Sequence, residues 1–224
     1  MKRKTLQGLV RFLVKALSKA EFIDFENMPK EGGIIIAINH MSHLDTPLMF
    51  VNPVRPDMTA LVTTKYKENA FINWFTETGE GIWINRDIAD FSAIRMASDV
   101  LKKGLALGIA PEGTRSLERV LTPGKPGVVL LALKTGAPIV PVGVWGTEDA
   151  IDKLTRFRKP HMFARCGKPF TLKPIARGQD RSQILQEYTD DIMCRIAALL
   201  PEQYWGAYRN HPMLAHYINQ NNHT

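Results

Sequence analysis

From residue 33 onward the chain alternates between two hydrophobic patterns. Short aliphatic and β-branched runs appear at "GIIIAIN" (33–39), "MTALVT" (58–63), "GIWIN" (81–85), "LALGIA" (105–110) and "PIVPVGVW" (138–145). Each has the length and composition of a strand. Between them, apolar positions recur at helical spacing near 45–51, 68–78, 89–103 and 125–135. "HMFARCG" (161–167) is a candidate for one more strand. Residues 180–200 carry the clearest helical repeat, with Ile184, Tyr188, Ile192, Ile196 and Leu200 four apart. Asp180 and Gln183 stand ahead of that repeat as a capping box. Strand–helix alternation of this kind predicts an α/β fold, with a mostly parallel central sheet flanked by helices. Nothing in the pattern divides residues 1–224, so one domain is expected.

The N-terminus adds an amphipathic helix over about residues 1–20. Leu6, Leu9, Val10, Leu13, Leu17 and Ala20 fall at helical spacing, while Lys4, Arg11, Lys15 and Lys19 occupy other faces. Either the helix docks on its own domain, or it lies in a lipid interface with its basic residues at anionic headgroups. The same basic residues interrupt any signal-peptide core, and the segment reads as mature sequence. No apolar stretch reaches the ~20 uninterrupted residues of a transmembrane helix.

Charge narrows the partners. Lys and Arg number 29 against 22 Asp and Glu, a net +7, which favours an anionic partner: an acidic membrane surface, a phosphorylated substrate or nucleic acid. No nucleic-acid-binding consensus is present, so nucleic acid is the weakest of these. Cys166 and Cys194 stand alone, which points to neither a zinc site nor a disulfide framework and fits a reducing compartment.

Chemistry gathers at strand ends. His40 follows the first run, Arg86 the third, and Glu112 with Arg115 the fourth. In open α/β sheets ligands bind at that edge. "NHMSHLDTP" (39–47) admits four readings. A metal site lacks the H-E-x-x-H spacing and a third ligand. A serine nucleophile at Ser42 lacks the flanking glycines of a nucleophile elbow. Capping by Ser42 or Asp45 is reasonable for the helix that follows, but leaves His40 unexplained. General-base chemistry uses His40 to remove a proton near neutral pH, with Asp45 fixing its tautomer. With no nucleophile of the protein's own, the attacking hydroxyl then belongs to a substrate.

His40 and Asp45, preceded by Asn39, resemble the NHx4D motif of the glycerolipid acyltransferases, the 1-acylglycerol-3-phosphate acyltransferase group. Three further blocks stand in that family's order: "GIWINR" (81–86), "PEGTRS" (111–116) and "IVPV" (139–142). "LTPGKPG", with Lys125 and Gly127, resembles its K-x-G element. Ala110 and Asn85 depart from the aromatic and the aspartate common at those positions. The resemblance implies transfer of a fatty acyl group from acyl-CoA or acyl carrier protein, as co-substrate, to the hydroxyl of a lysophospholipid, with no bound cofactor or metal. Lysophosphatidic acid is the leading acceptor; the alternatives are an acyltransferase for glycerol-3-phosphate or another lysophospholipid, a thioester hydrolase, and a non-catalytic lipid-binding protein. It implies His40 and Asp45 as catalytic residues. It implies that Glu112, Gly113, Thr114 and Arg115 hold the acceptor headgroup and phosphate. Arg86 is either a second phosphate contact or the ion-pair partner of Asp87 or Asp90, and Lys65 occupies a region where the family often carries a phosphate-facing lysine. The lipid substrates further imply a peripheral position on the cytoplasmic face of a membrane, without a transmembrane span.

Overall fold

The computed structural model describes residues 1–86, 88 and 90–222. Its frame is a seven-stranded sheet in the order β1-β7-β6-β2-β5-β3-β4. In chain order the strands are β1 (Lys19–Ile23), β2 (Ile34–Ile38), β3 (Thr59–Thr63), β4 (Ile82–Ile84), β5 (Ala106–Ile109), β6 (Ile139–Trp145) and β7 (His161–Cys166). Every neighbouring pair is parallel except β6 with β7. The helices are α1 (Arg3–Leu17), α2 (Asp45–Phe50), α3 (Ala70–Thr78), α4 (Phe91–Lys102), α5 (Gly127–Thr135), α6 (Ala150–Thr155), α7 (Arg181–Ala197) and α8 (Pro212–Asn222).

The run of isoleucines in β2 has a physical reason. Ile35 and Ala37 join one apolar cluster with α4, α5 and α7, while Ile34, Ile36 and Ile38 join a second one on the opposite face. A central strand covered on both sides must be apolar at every position, and all five residues of β2 are buried. Both cysteines are buried as well.

The N-terminal helix stops earlier than its apolar spacing suggests. Ser18 is extended, and Lys19 and Ala20 belong to β1, which pairs with β7 from Lys19↔His161 onward. Strand pairing outweighs local helical preference there. At α7, Asp180 Oδ1 accepts from Ser182 N and Gln183 N, but the Gln183 side chain bonds to Glu187 instead of returning, so half the capping box forms. The tail folds back on the sheet: Leu121 N donates to Tyr204 O, Ala207 N to Leu121 O, and Gly124 N to the Tyr208 hydroxyl. Residues 204–208 thereby brace the segment 121–124.

Because β2, β3, β4, β5 and β6 run parallel, their C-terminal ends open onto one edge. Asn39 and His40, Lys65, Arg86, the 111–116 turn and Thr147 all lie there.

Candidate active site

Asn39 extends β2 by side chain rather than by backbone. Its Nδ2 donates to Val144 O and its Oδ1 accepts from Val144 N, both at 2.7 Å. An asparagine at this position therefore continues the ladder to β6, while the chain is free to turn and present His40.

His40 is fixed at three points. Its backbone N–H donates to Glu112 Oε1 at 3.0 Å, and its carbonyl accepts from Ser116 N at 2.8 Å. Its ring Nδ1 donates to Asp45 Oδ2 at 2.9 Å. That bond leaves Nε2 as the ring nitrogen at the wall of the cavity that His40 lines. Asp45 is fully buried, and its Oδ2 also accepts from the amides of Met41 and Ser42 at 2.8 Å each. The aspartate thus binds the loop and the imidazole with one oxygen. Neither side chain caps α2, whose N-cap is Leu44 with no side-chain bond: Asp45 reaches back to Ser42 N, while Ser42 Oγ accepts from Leu44 N and donates to Thr147 O. His43 takes no part in this network; its ring packs edge-on against Tyr66. Burial first, then the charges of Arg115 and His40, pull its pKa below the usual histidine value.

Glu112 departs from the expectation of a substrate contact. It is 1% exposed, its second oxygen accepts from Thr122 N and Oγ1, and it does not line the cavity. Desolvation raises its pKa against the opposing pull of these hydrogen bonds. Its role in the geometry is to tie the 111–122 segment to the backbone of His40. Gly113, Thr114 and Arg115 do line the cavity. Gly113 has φ +70, and a Cβ there would sit 3.1 Å from the Lys125 side chain, so the turn is built for glycine. Arg119 pairs with Asp149, whereas Arg115 has no such carboxylate among the described residues.

Arg86 donates to Gly113 O and reaches the same cavity. Of its two expected acidic partners, Asp90 caps α4 by accepting from Ala93 N and also holds Asn85 N, and Asp87 lies outside the described residues. Lys65, on the turn after β3, lines the cavity too, as does Lys125. Four cationic side chains thus surround the end at which His40 sits. The rest of the cavity, about 1110 Å³ in all, runs between α1 and α3 along Leu6, Val10, Leu13, Phe71 and Phe75. A charged end and a long apolar end match a molecule with a phosphate and an aliphatic chain.

A family model described as acyltransferase matches residues 19–145. The chain belongs to the acyltransferase family. Among its acyltransferase relatives is a 1-acyl-sn-glycerol-3-phosphate acyltransferase of Borreliella burgdorferi, 32% identical over 126 residues, which cover 55% of this chain and 50% of that protein. A Bacillus subtilis protein of the same name is 28% identical over 144 residues, 64% of this chain and 70% of that one. The crystal structure of a 1-acyl-sn-glycerophosphate (LPA) acyltransferase from Thermotoga maritima superposes with a TM-score of 0.64 at 25% identity, covering 84% of this chain and 76% of that chain. The match to the Borreliella acyltransferase spans half of that relative's length.

Three features of the site had no role assigned from sequence. Thr147 donates to Asp45 Oδ1. Lys125 reaches the cavity beside Gly113, and α1 and α3 supply the apolar walls. Thr147 was open to the strand-end rule, since it follows β6 by two residues. Which helices wall a cavity depends on chain packing, and spacing alone does not carry that.

Proposed function

We propose that the protein transfers a fatty acyl group from a thioester of coenzyme A or acyl carrier protein to the free hydroxyl of 1-acylglycerol-3-phosphate, giving phosphatidic acid. The observation that carries this reading is the His40–Asp45 pair at the junction of the cationic and apolar parts of one cavity. The printed names of the Borreliella and Bacillus relatives point to the same acceptor.

In the mechanism, Arg115, aided by Arg86, Lys65 and Lys125, holds the acceptor phosphate; a guanidinium suits that anion bidentately. His40 Nε2 takes the proton of the acceptor hydroxyl as its oxygen attacks the thioester carbonyl. Asp45 stabilises the imidazolium. The C–O bond forms, the C–S bond breaks, and the leaving thiolate takes the proton back from His40. No acyl-enzyme forms, and no metal or bound cofactor enters. Acyl chains lie along α1 and α3. The protein sits peripherally on the cytoplasmic face of a membrane, with exposed Phe12 and its neighbours on α1 towards lipid. Among the described residues no helix is long and apolar enough to cross a membrane.

The test is an acceptor and donor panel. Purified protein is given acyl-CoA or acyl carrier protein thioester with lysophosphatidic acid, glycerol-3-phosphate or lysophosphatidylcholine. Phosphatidic acid as the principal product supports the reading. Transfer confined to another acceptor, or thioester hydrolysis outrunning transfer with acceptor present, contradicts it.

A further inference from the structure

We infer that Thr147 is a positioning residue for the reaction: its hydroxyl holds the second oxygen of Asp45, so that the first stays aimed at His40. The inference rests on the general-base reading of His40 and extends it to a residue beyond the 19–145 span of the family match.

The local chain explains how the threonine gets there. β6 ends at Trp145, and Gly146 follows with φ +77. A Cβ at Gly146 would stand 2.2 Å from the carbonyl oxygen of His161, so glycine alone lets the chain turn this closely against the start of β7. The turn drops Thr147 into the interior, where it is 1% exposed. Its Oγ1 donates to Asp45 Oδ1, and its carbonyl accepts from Ser42 Oγ at 3.0 Å. Thr147 therefore holds the 40–45 loop at both a side chain and a backbone group.

The electrostatic consequence follows from the donor count. Asp45 Oδ2 already has three donors, and Thr147 is the partner of Oδ1. Without the hydroxyl, one oxygen of a carboxylate with no solvent exposure loses its hydrogen bond, which is costly for an ionised group. The carboxylate is then free to rotate about its Cβ–Cγ bond, Oδ2 loses its alignment with His40 Nδ1, and the imidazolium formed in the reaction is less well stabilised. The groups around His40 are Asp45 at the start of α2, the Glu112 carboxylate on its backbone amide, His43 beside it, and Arg115, Arg86, Lys65 and Lys125 on the cavity they share. Glu148 and Asp149, next along from Thr147, are turned to Tyr204 and Arg119 instead.

The experiment measures kcat and acceptor KM for wild type, Thr147→Val, Thr147→Ala, Thr147→Ser and His40→Ala, with thermal melts of each. Thr147→Val is expected to lower kcat about 10- to 100-fold, on the scale of one lost hydrogen bond to a charged group, with acceptor KM nearly unchanged. Thr147→Ser should recover wild-type kcat to within about threefold, since serine keeps the donor. Thr147→Ala gives the same reading as valine if the valine protein fails to fold. Wild-type kcat in Thr147→Val or Thr147→Ala overturns the inference. So does Thr147→Ser behaving like valine, which assigns the effect to packing. If His40→Ala keeps the wild-type rate, the general-base reading fails and takes this inference with it. If His40→Ala is inactive while valine behaves as wild type, the Thr147 inference alone has failed.

Discussion

Asp45 and Glu112 are both carboxylates at the site, and both act on the loop rather than on open space. Asp45 binds the imidazole of His40 and two amides, and Glu112 binds the amide of His40 and both donors of Thr122. Replacing Glu112 with Gln puts an NH2 group where an N–H or O–H now points at an oxygen. Glu112→Gln is expected to lower unfolding stability by about 1–3 kcal/mol, the cost of a buried donor left unsatisfied. Chemical denaturation checks this, and a wild-type midpoint in the variant would contradict it. That His40, Asp45 and Arg115 gather at one strand edge was legible in the sequence, from the spacing of the first two and the strand-end positions of His40 and Arg115. The inward turn of Glu112 was not: a residue just past a strand can face either the cleft or the turn beneath it, and only packing decides.

At the scale of elements, β2 to β6 and the helices between them follow the hydrophobic pattern, since the apolar composition of each strand sets it apart from the polar segments around it. Boundaries are set by other forces. The end of α1 at Leu17 is fixed by the pairing of Lys19 with β7, a partner more than a hundred residues away. α6, six residues long, is not marked by the hydrophobic pattern. The start of α4 depends on Asp90, which accepts from Asn85 N, Ser92 Oγ and Ala93 N. These donors hold its pKa at about 2, below the ordinary carboxylate value. A carboxylate depressed in the folded state contributes stability that is present above its unfolded pKa and lost as pH falls through the folded one. Asp90→Asn should therefore melt below wild type at about pH 5, with the gap closing towards about pH 2. Thermal melts across that range test it, and a gap independent of pH would contradict the assignment.

On the scale of the whole molecule, the sheet gathers five strand ends onto one edge, and α1 and α3 add the apolar walls. α1 is docked on its own domain, the first of its two sequence readings. Leu6, Gln7 and Val10 are buried against the body, and Gln7 Nε2 donates to Pro56 O at 2.6 Å. Phe12, on the outer side, is 66% exposed. The helix is thus docked while keeping an apolar surface beside basic residues, in a chain of net charge +7. Phe12→Asp removes apolar area and adds a charge repelled by anionic lipid. Its binding to anionic liposomes should fall several-fold at an unchanged melting temperature, measured by vesicle sedimentation; equal binding would contradict a lipid-facing α1. The cavity joins this surface to the chemistry, because α1 lines it from within. All of it depends on one imidazole. The most direct measurement is the initial rate of acyl transfer to lysophosphatidic acid by His40→Ala beside wild type, at matched folded concentration. The account predicts a loss of about a thousandfold, within the range expected of a removed general base. A variant that retains a rate within about tenfold of wild type would contradict it.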